Sequence, residues 1–214
     1  MFEIILLITA YLLGSIPSSV WIGKYFYGID VREYGSGNAG ATNTFRVLGK
    51  KAGIPVLIID VLKGWLSVNI AYQSNYKVGS DQFVNFELVL GIAALIGHIS
   101  PIYVGFRGGK GIATLLGILL ALHLQAALVS MVIFLIVLLV FNYVSLGSMI
   151  AAVLFPLIMV FIFKTTTPSL IIFSIAVAIL VIITHQKNIV RLIRKEESKV
   201  SLFRKKGQNN PGPK

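Results

Sequence analysis

Residues 112–141, Ile-Ala-Thr-Leu-Leu-Gly-Ile-Leu-Leu-Ala-Leu-His-Leu-Gln-Ala-Ala-Leu-Val-Ser-Met-Val-Ile-Phe-Leu-Ile-Val-Leu-Leu-Val-Phe, form a nearly unbroken apolar run of 30 residues. A bilayer-spanning helix needs about 20 residues at about 1.5 Å each, within a range of about 17–25. The run is therefore one overlong helix or two short ones. His123 and Gln125 put polar groups near its centre, so we expect two helices, at roughly 111–123 and 125–141. Five more apolar segments flank them, at roughly 4–23, 53–72, 86–105, 146–163 and 168–184, which makes seven expected spans.

Charge placement supports this count. Sixteen Lys and Arg fall on one side: Lys24, Arg32, Arg46, Lys50 and Lys51 in the first loop, Arg107 and Lys110 in the second, and nine beyond residue 184. Lys77 and Lys164 fall on the other side, and Lys63 lies inside the second segment. Basic residues mark cytoplasmic loops, so the expected topology has the N-terminus outside and the C-terminus cytoplasmic. Fusing 112–141 into one span would break this split. The start carries Glu3, no basic region and no small-residue cleavage pattern. Residues 4–23 are accordingly read as a retained spanning helix, not a secretory signal.

Composition agrees. Of 214 residues 56% are hydrophobic and 13% charged, with mean hydropathy +0.85 and net charge +11. Soluble domains carry about 25% charged residues, and a disordered chain would be far less apolar. With no cysteine, a disulfide scaffold, thiol nucleophile and cysteine metal site are excluded. The positive charge lies between and after apolar runs, which favours anionic lipid and anionic substrates over nucleic acid. The expected architecture is an all-α integral membrane protein: a domain over 1–198 with cytoplasmic glycine-rich loops, then a basic tail over 199–214, expected to be disordered from Gly207 onward.

Two loops carry the chemistry. Asp30-Val-Arg-Glu-Tyr-Gly-Ser-Gly-Asn-Ala-Gly-Ala-Thr-Asn-Thr-Phe-Arg46 contains G-x-G-x-x-G with Asp60 twenty residues on. The dinucleotide reading fails because no strand–helix–strand unit surrounds it and Asp60 sits inside an apolar segment. Three glycines still let backbone N–H groups approach an anion. Ser36, Asn38, Thr42, Asn43 and Thr44 add small neutral donors, and Arg46 adds a planar fork suited to phosphate. A helical turn over 41–48 would point its N-terminus at the same anion. The second loop, Gly105-Phe-Arg-Gly-Gly-Lys-Gly-Ile-Ala-Thr114, resembles a P-loop but fails its pattern at Val104 and Gly111. Its glycines frame Lys110 at a helix start, where an anion is favoured.

Beyond the last span, His185 and Asn188 are three apart on one helix face and can orient a hydroxyl. A capping histidine is the plainer alternative. Asp60 and Lys63, also three apart, are expected to pair and play a structural part. Ser145 and Ser148 can cap a helix or bind phosphate. No paired-carboxylate centre or H-E-x-x-H appears, and H-x-x-x-x-D is missing after all three histidines.

Gly14-Ser-Ile-Pro-Ser-Ser19, Gly35-Ser-Gly-Asn-Ala-Gly-Ala-Thr-Asn43, Gly97-His-Ile-Ser-Pro101, Gly108-Gly-Lys-Gly111, Tyr143-Val-Ser-Leu-Gly-Ser148 and His185-Gln-Lys-Asn188 together resemble the bacterial acyl-phosphate:glycerol-3-phosphate acyltransferase family. The resemblance runs from about residue 10 to Glu197. It implies transfer of a fatty acyl group from acyl phosphate to the 1-hydroxyl of glycerol 3-phosphate, giving lysophosphatidic acid and phosphate, the first acylation of phospholipid synthesis. It further implies catalytic roles for His185, Asn188 and Lys110, and substrate or phosphate binding by Ser36, Gly37, Asn38, Thr42, Asn43, Arg46, Gly109 and Ser145. No metal or cofactor is implied. The implied setting is a bacterial plasma membrane with the site on its cytoplasmic face. Implied partners are membrane lipid and the soluble enzyme that makes acyl phosphate. The alternatives are a transporter of a phosphorylated solute and a non-catalytic lipid-binding scaffold.

Overall fold

The computed structural model describes residues 1–200, and within them the chain is all-helical. Every apolar segment is helical. The run 112–141 opens as α6 (Ile112–Leu122) and α7 (Leu124–Phe141). His123 breaks it with an extended backbone, and its ring Nδ1 accepts the Ala126 N–H at 3.3 Å.

The first segment differs from the expected single helix over 4–23. It forms α1 (Phe2–Gly14) and α2 (Ser18–Tyr27), bent by 44°. Pro17 is the cause: it has no N–H and disfavours helical backbone at the residue before it. A short amphipathic α3 (Ala41–Leu48) then lies in the first loop. Next come α4 (Lys50–Asn69), extended by a tight turn to Gln73, and α5 (Asp81–Ile99). After α7 follow α8 (Val144–Leu157), running on as a π-turn Ile158–Ile162, then α9 (Pro168–Thr184) and α10 (Gln186–Ile193). Short α10, which carries Asn188 three residues after its N-cap His185, bends 59° from α9 at His185.

Among the described residues, four helices are long and apolar enough to cross a bilayer, and up to six if each bent pair counts as one span. With 11 residues, α6 reaches only about 17 Å at about 1.5 Å per residue, roughly half a hydrocarbon core. The outward faces suit lipid. Val132, Leu135, Ile136, Leu139 and Val140 on α7 and Ile172, Ile179 and Ile183 on α9 are exposed, apolar faces of the kind that lie against lipid.

Two backbone-to-backbone crossings hold the bundle. Gly14 of α1 lies against Ala94 of α5, with Gly97 of α5 against Tyr11 of α1. Gly64 of α4 lies against the Thr114 carbonyl of α6, and Gly117 of α6 against the Val61 carbonyl of α4. Small residues at such crossings let helices approach without side chains between them. Around α6 the core gathers Val68, Leu115, Ile118, Phe155, Met159 and Phe173. The C-terminal segment folds back: Val200 N–H donates to the Asn142 carbonyl at 2.8 Å, and the Lys199 ammonium lies over the Tyr143 ring. The expected boundary at 198 thus falls inside a packed segment. The tail expected to be disordered from Gly207 lies outside the described residues.

Gly117→Val should push α6 off α4 and destabilise the protein by about 1–3 kcal/mol or more, whereas lipid-facing Leu139→Ala should change little. Thermal unfolding in detergent measures both. Equal melting temperatures for the two variants would contradict the crossing.

Candidate active site

Asp30 begins the first loop by gripping Arg32. Its Oδ1 accepts from Arg32 N–H at 3.0 Å and Nε at 2.9 Å, and its Oδ2 from Nη2 at 2.7 Å. This guanidinium holds the Asp30 carboxyl well below the usual range. Arg32 Nη1 reaches across to the carbonyls of Val104 at 2.9 Å and Arg107 at 3.1 Å. The residue expected only as an orientation charge therefore clasps the two loops together.

Asn43 is the peg of the glycine loop. Its Oδ1 accepts from Ser36 N–H at 2.8 Å and Ser36 Oγ at 3.1 Å. Its Nδ2 donates to the carbonyls of Val31 at 2.8 Å and Tyr34 at 3.1 Å. All four bonds of the amide are made inside the loop, so Asn43 shapes the site and has no bonding capacity left for a substrate. Gly35 and Gly37 carry positive φ of 63° and 72° around it, a conformation glycine adopts without penalty. Thr42 and Arg46 stand one turn apart on the exposed face of α3. Ser36 and Asn38 are half-buried, and Gly37 is exposed.

The second loop folds back on the end of α5: Gly109 N–H donates to the His98 carbonyl and Gly108 N–H to the Ile99 carbonyl, each at 3.1 Å. Gly108 and Gly109 have no room for a side chain. A Cβ on Gly109 would strike His98 Nε2 and would stand 2.6 Å from the Ala39 carbonyl of the first loop. The two loops meet there, backbone on backbone.

Lys110 projects from this junction and donates to Asn188 Oδ1. Asn188 Nδ2 donates to Glu197 Oε1 at 2.8 Å, and Ser145 Oγ donates to the same oxygen at 3.1 Å. His185 is 3% exposed at the α9–α10 bend. Its Nδ1 is 2.8 Å from the Val181 carbonyl. A carbonyl only accepts, so Nδ1 carries the proton and Nε2 keeps its lone pair. Burial first, and then the Lys110 charge, push His185 down to about 4; it is neutral at ordinary pH. Burial also pulls Lys110 down to about 8, helped by the charges of Arg191 and Arg46 and opposed by Glu197.

The structure thus joins Lys110, Asn188, Ser145 and His185 in one cluster and seats the first loop against it through Gly109. Ser148 turns back to the Val144 carbonyl, and neither serine caps α8. Sequence reasoning missed Glu197, which looked like one acid in a basic run, and the clasp role of Arg32. Arg107 projects its side chain outward.

Residues 4–195 match the family model described as glycerol-3-phosphate acyltransferase. The chain belongs to that family. A glycerol-3-phosphate acyltransferase of Enterococcus faecalis is 45% identical over 206 residues, covering 92% of each chain. One from Fusobacterium nucleatum is 43% identical over 193 residues, covering 90% of this chain and 95% of the relative. The fold is also similar to the crystal structure of PlsY, an integral membrane glycerol 3-phosphate acyltransferase, in its glycerol 3-phosphate form. The TM-score is 0.85 at 36% identity, covering 95% of this chain and all of the other. The lysophosphatidic acid form of that enzyme gives 0.80 at 35% identity, covering 94% and 96%. Like these acyltransferases, this chain is a multi-pass membrane protein.

If the acyltransferase uses the Lys110 charge, kcat/KM for glycerol 3-phosphate should fall as pH rises through about 8, since that ratio reports groups of the free enzyme. Neutral His185 adds no acidic limb above about 5, because its proton binds only near 4. Lys110→Arg should carry the basic limb beyond about pH 10, because a guanidinium does not deprotonate there. A limb that stays near 8 in that variant would belong to another group.

Proposed function

We propose that this acyltransferase takes its acyl group from fatty acyl phosphate, at a site on the cytoplasmic face of a bacterial plasma membrane built from Lys110, Asn188, His185, Ser145 and the first glycine loop. The reaction is acyl transfer to glycerol 3-phosphate, giving lysophosphatidic acid. The 1-hydroxyl oxygen attacks the acyl carbonyl carbon, the carbon–oxygen bond to the leaving group breaks, and phosphate departs with the electron pair. The hydroxyl proton passes to a phosphate oxygen. His185 Nε2 and the second Nδ2–H of Asn188 orient the reacting hydroxyl and carbonyl. Lys110 and Arg46 hold phosphate, with the small donors of Ser36, Gly37, Asn38 and Thr42 and the Gly109 backbone around them. Acyl phosphate is an activated mixed anhydride with phosphate as leaving group, so positioning and charge stabilisation supply the catalysis without a covalent enzyme intermediate.

The observation that carries this reading is the convergence of distant parts of the chain beside a neutral His185: Asn188 and Ser145 donate to one Glu197 oxygen, and Lys110 donates to the Asn188 amide oxygen. The partner is the soluble enzyme that supplies acyl phosphate. The topology that fits counts short α6 as the fourth of seven spans, with the N-terminus outside and the C-terminus cytoplasmic, so that both glycine loops and α10 share one side. Cysteines engineered at positions 77 and 164 of this cysteine-free chain should react with an impermeant label from outside; labelling only from the cytoplasm would reverse the assignment.

Purified protein given acyl phosphate and glycerol 3-phosphate without coenzyme A should form lysophosphatidic acid. Comparable turnover with acyl coenzyme A as the sole donor would refute the donor assignment. Lys110→Ala and Arg46→Ala should each lower kcat/KM by roughly 30- to 1000-fold, the equivalent of about 2–4 kcal/mol. Arg46→Lys should also be poor, since a point charge cannot replace the fork. Arg107→Ala should be near normal, and a large loss there with normal Lys110→Ala and Arg46→Ala would put the phosphate elsewhere.

A further inference from the structure

A second polar cluster lies directly beneath the two loops, and nothing in the reaction above uses it. Asp60 and Lys63, one turn apart on α4 and 1% and 3% exposed, pair at 2.8 Å. Asp60 Oδ1 also accepts from Ser18 Oγ at 2.8 Å, and Lys63 Nζ donates to the Ile16 carbonyl at 2.8 Å. On the facing side stands His98, the last inward residue of α5. Its Nδ1 is 3.0 Å from Thr114 Oγ1 and 3.7 Å from Asp60 Oδ1. Ser18, Asp60, Lys63, His98, Ala39 and Gly108 share the walls of one small cavity.

His98 touches the second loop twice. Its carbonyl holds the Gly109 N–H at 3.1 Å, and its Nε2 edge lies so close to Gly109 that no Cβ fits between them. The other side of Gly109 faces the Ala39 carbonyl. Lys110 is the next residue. Thr114, fully buried one turn further on, holds the other edge of the ring. The ring is therefore a wedge whose angle is fixed by Thr114 and whose rim fixes the path of the loop.

We propose that His98, held by Thr114 beside the Asp60–Lys63 pair, is a positioning residue that sets the reach of Lys110 and the fit of the second glycine loop against the first. The inference rests on the reading of Lys110 as a phosphate-binding cation. His98 acts through Gly109 and Lys110, without touching the reacting atoms.

The test is a double-mutant cycle on the full-length protein in detergent or nanodiscs, followed with radiolabelled glycerol 3-phosphate so that slow variants stay measurable. His98→Asn keeps a polar atom for Thr114 and removes the rim against Gly109. Thr114→Val keeps the volume and removes the hydroxyl, and serves where His98→Asn fails to fold. Each should lower kcat/KM by about 10- to 100-fold, as misplacing a catalytic group by about 1 Å does, at an unchanged melting temperature. In a Lys110→Ala background the same changes should cost less than about threefold, because residues acting as one unit are not additive. Equal losses in both backgrounds would mean a role independent of Lys110, and no loss in the native background would mean no role; either overturns the inference. A costless Lys110→Ala would instead remove the phosphate reading itself, and this inference with it.

Discussion

An ammonium that donates to an amide keeps its charge for a further partner, whereas one that donates to a carboxylate has spent it. Lys110 is held in the first way. Asn188 stands between it and Glu197, so the carboxylate orients the amide and tempers the local potential without neutralising the cation. Burial works against the charged form, as the drop to about 8 shows. The balance is a cation that is partly dry yet uncompensated at contact distance, a state in which an arriving phosphate is worth most. Much of the surrounding structure serves this arrangement. The bend at His185 starts α10 and puts Asn188 in its first turn. The segment after α10 returns to the α7–α8 corner and brings Glu197 to Ser145.

Carrying polar groups into the membrane half of the fold has a cost that the first helix helps meet. Pro17 breaks α1 from α2, and a broken helix leaves carbonyls without their usual partners. The Ile16 carbonyl accepts from Lys63, and Ser18, the first residue of α2, donates to Asp60. The break and the buried ion pair thus share two hydrogen bonds, which offsets part of the cost of polar groups inside a bilayer, while Asp60 Oδ2 and Ser15 Oγ have no partner among the described residues. The crossing of α4 on α6 at Gly64 and Gly117 is close enough to bring Thr114 and His98 alongside.

Features governed by local chemistry were legible in the sequence. His123 marked its break, Asp60 and Lys63 their pairing, and the glycines their two loops. The break at Pro17 was also written there, in Gly14-Ser-Ile-Pro17, but an apolar average over twenty residues hides a single proline. Asn43 shows a deeper limit. A neutral donor in a glycine loop reads the same whether it binds a ligand or pegs the loop, and only its four internal bonds decide. Glu197 was out of reach for another reason: its partner Ser145 is 52 residues away, and a basic neighbourhood makes a surface acid look ordinary. Arg32 had the same problem, since positive-inside charge gives every loop arginine an explanation before its partners are known.

The distribution of compensated and uncompensated charge also separates an enzyme at the membrane face from a carrier of phosphorylated solutes. A carrier would place its substrate cation deep, on a broken helix near the bilayer centre. This protein has a broken helix with a lysine beside it, and in outline that matches a carrier. But Lys63 is matched to Asp60 at 2.8 Å and tied to a carbonyl, so its charge is cancelled within the fold and an anion would gain little there. Lys110 meets a neutral amide at a loop, so its charge is not cancelled there. A cation neutralised inside the bundle and a cation left available at a loop suit acyl transfer to glycerol 3-phosphate, and they are the reverse of what carriage through the bundle would need.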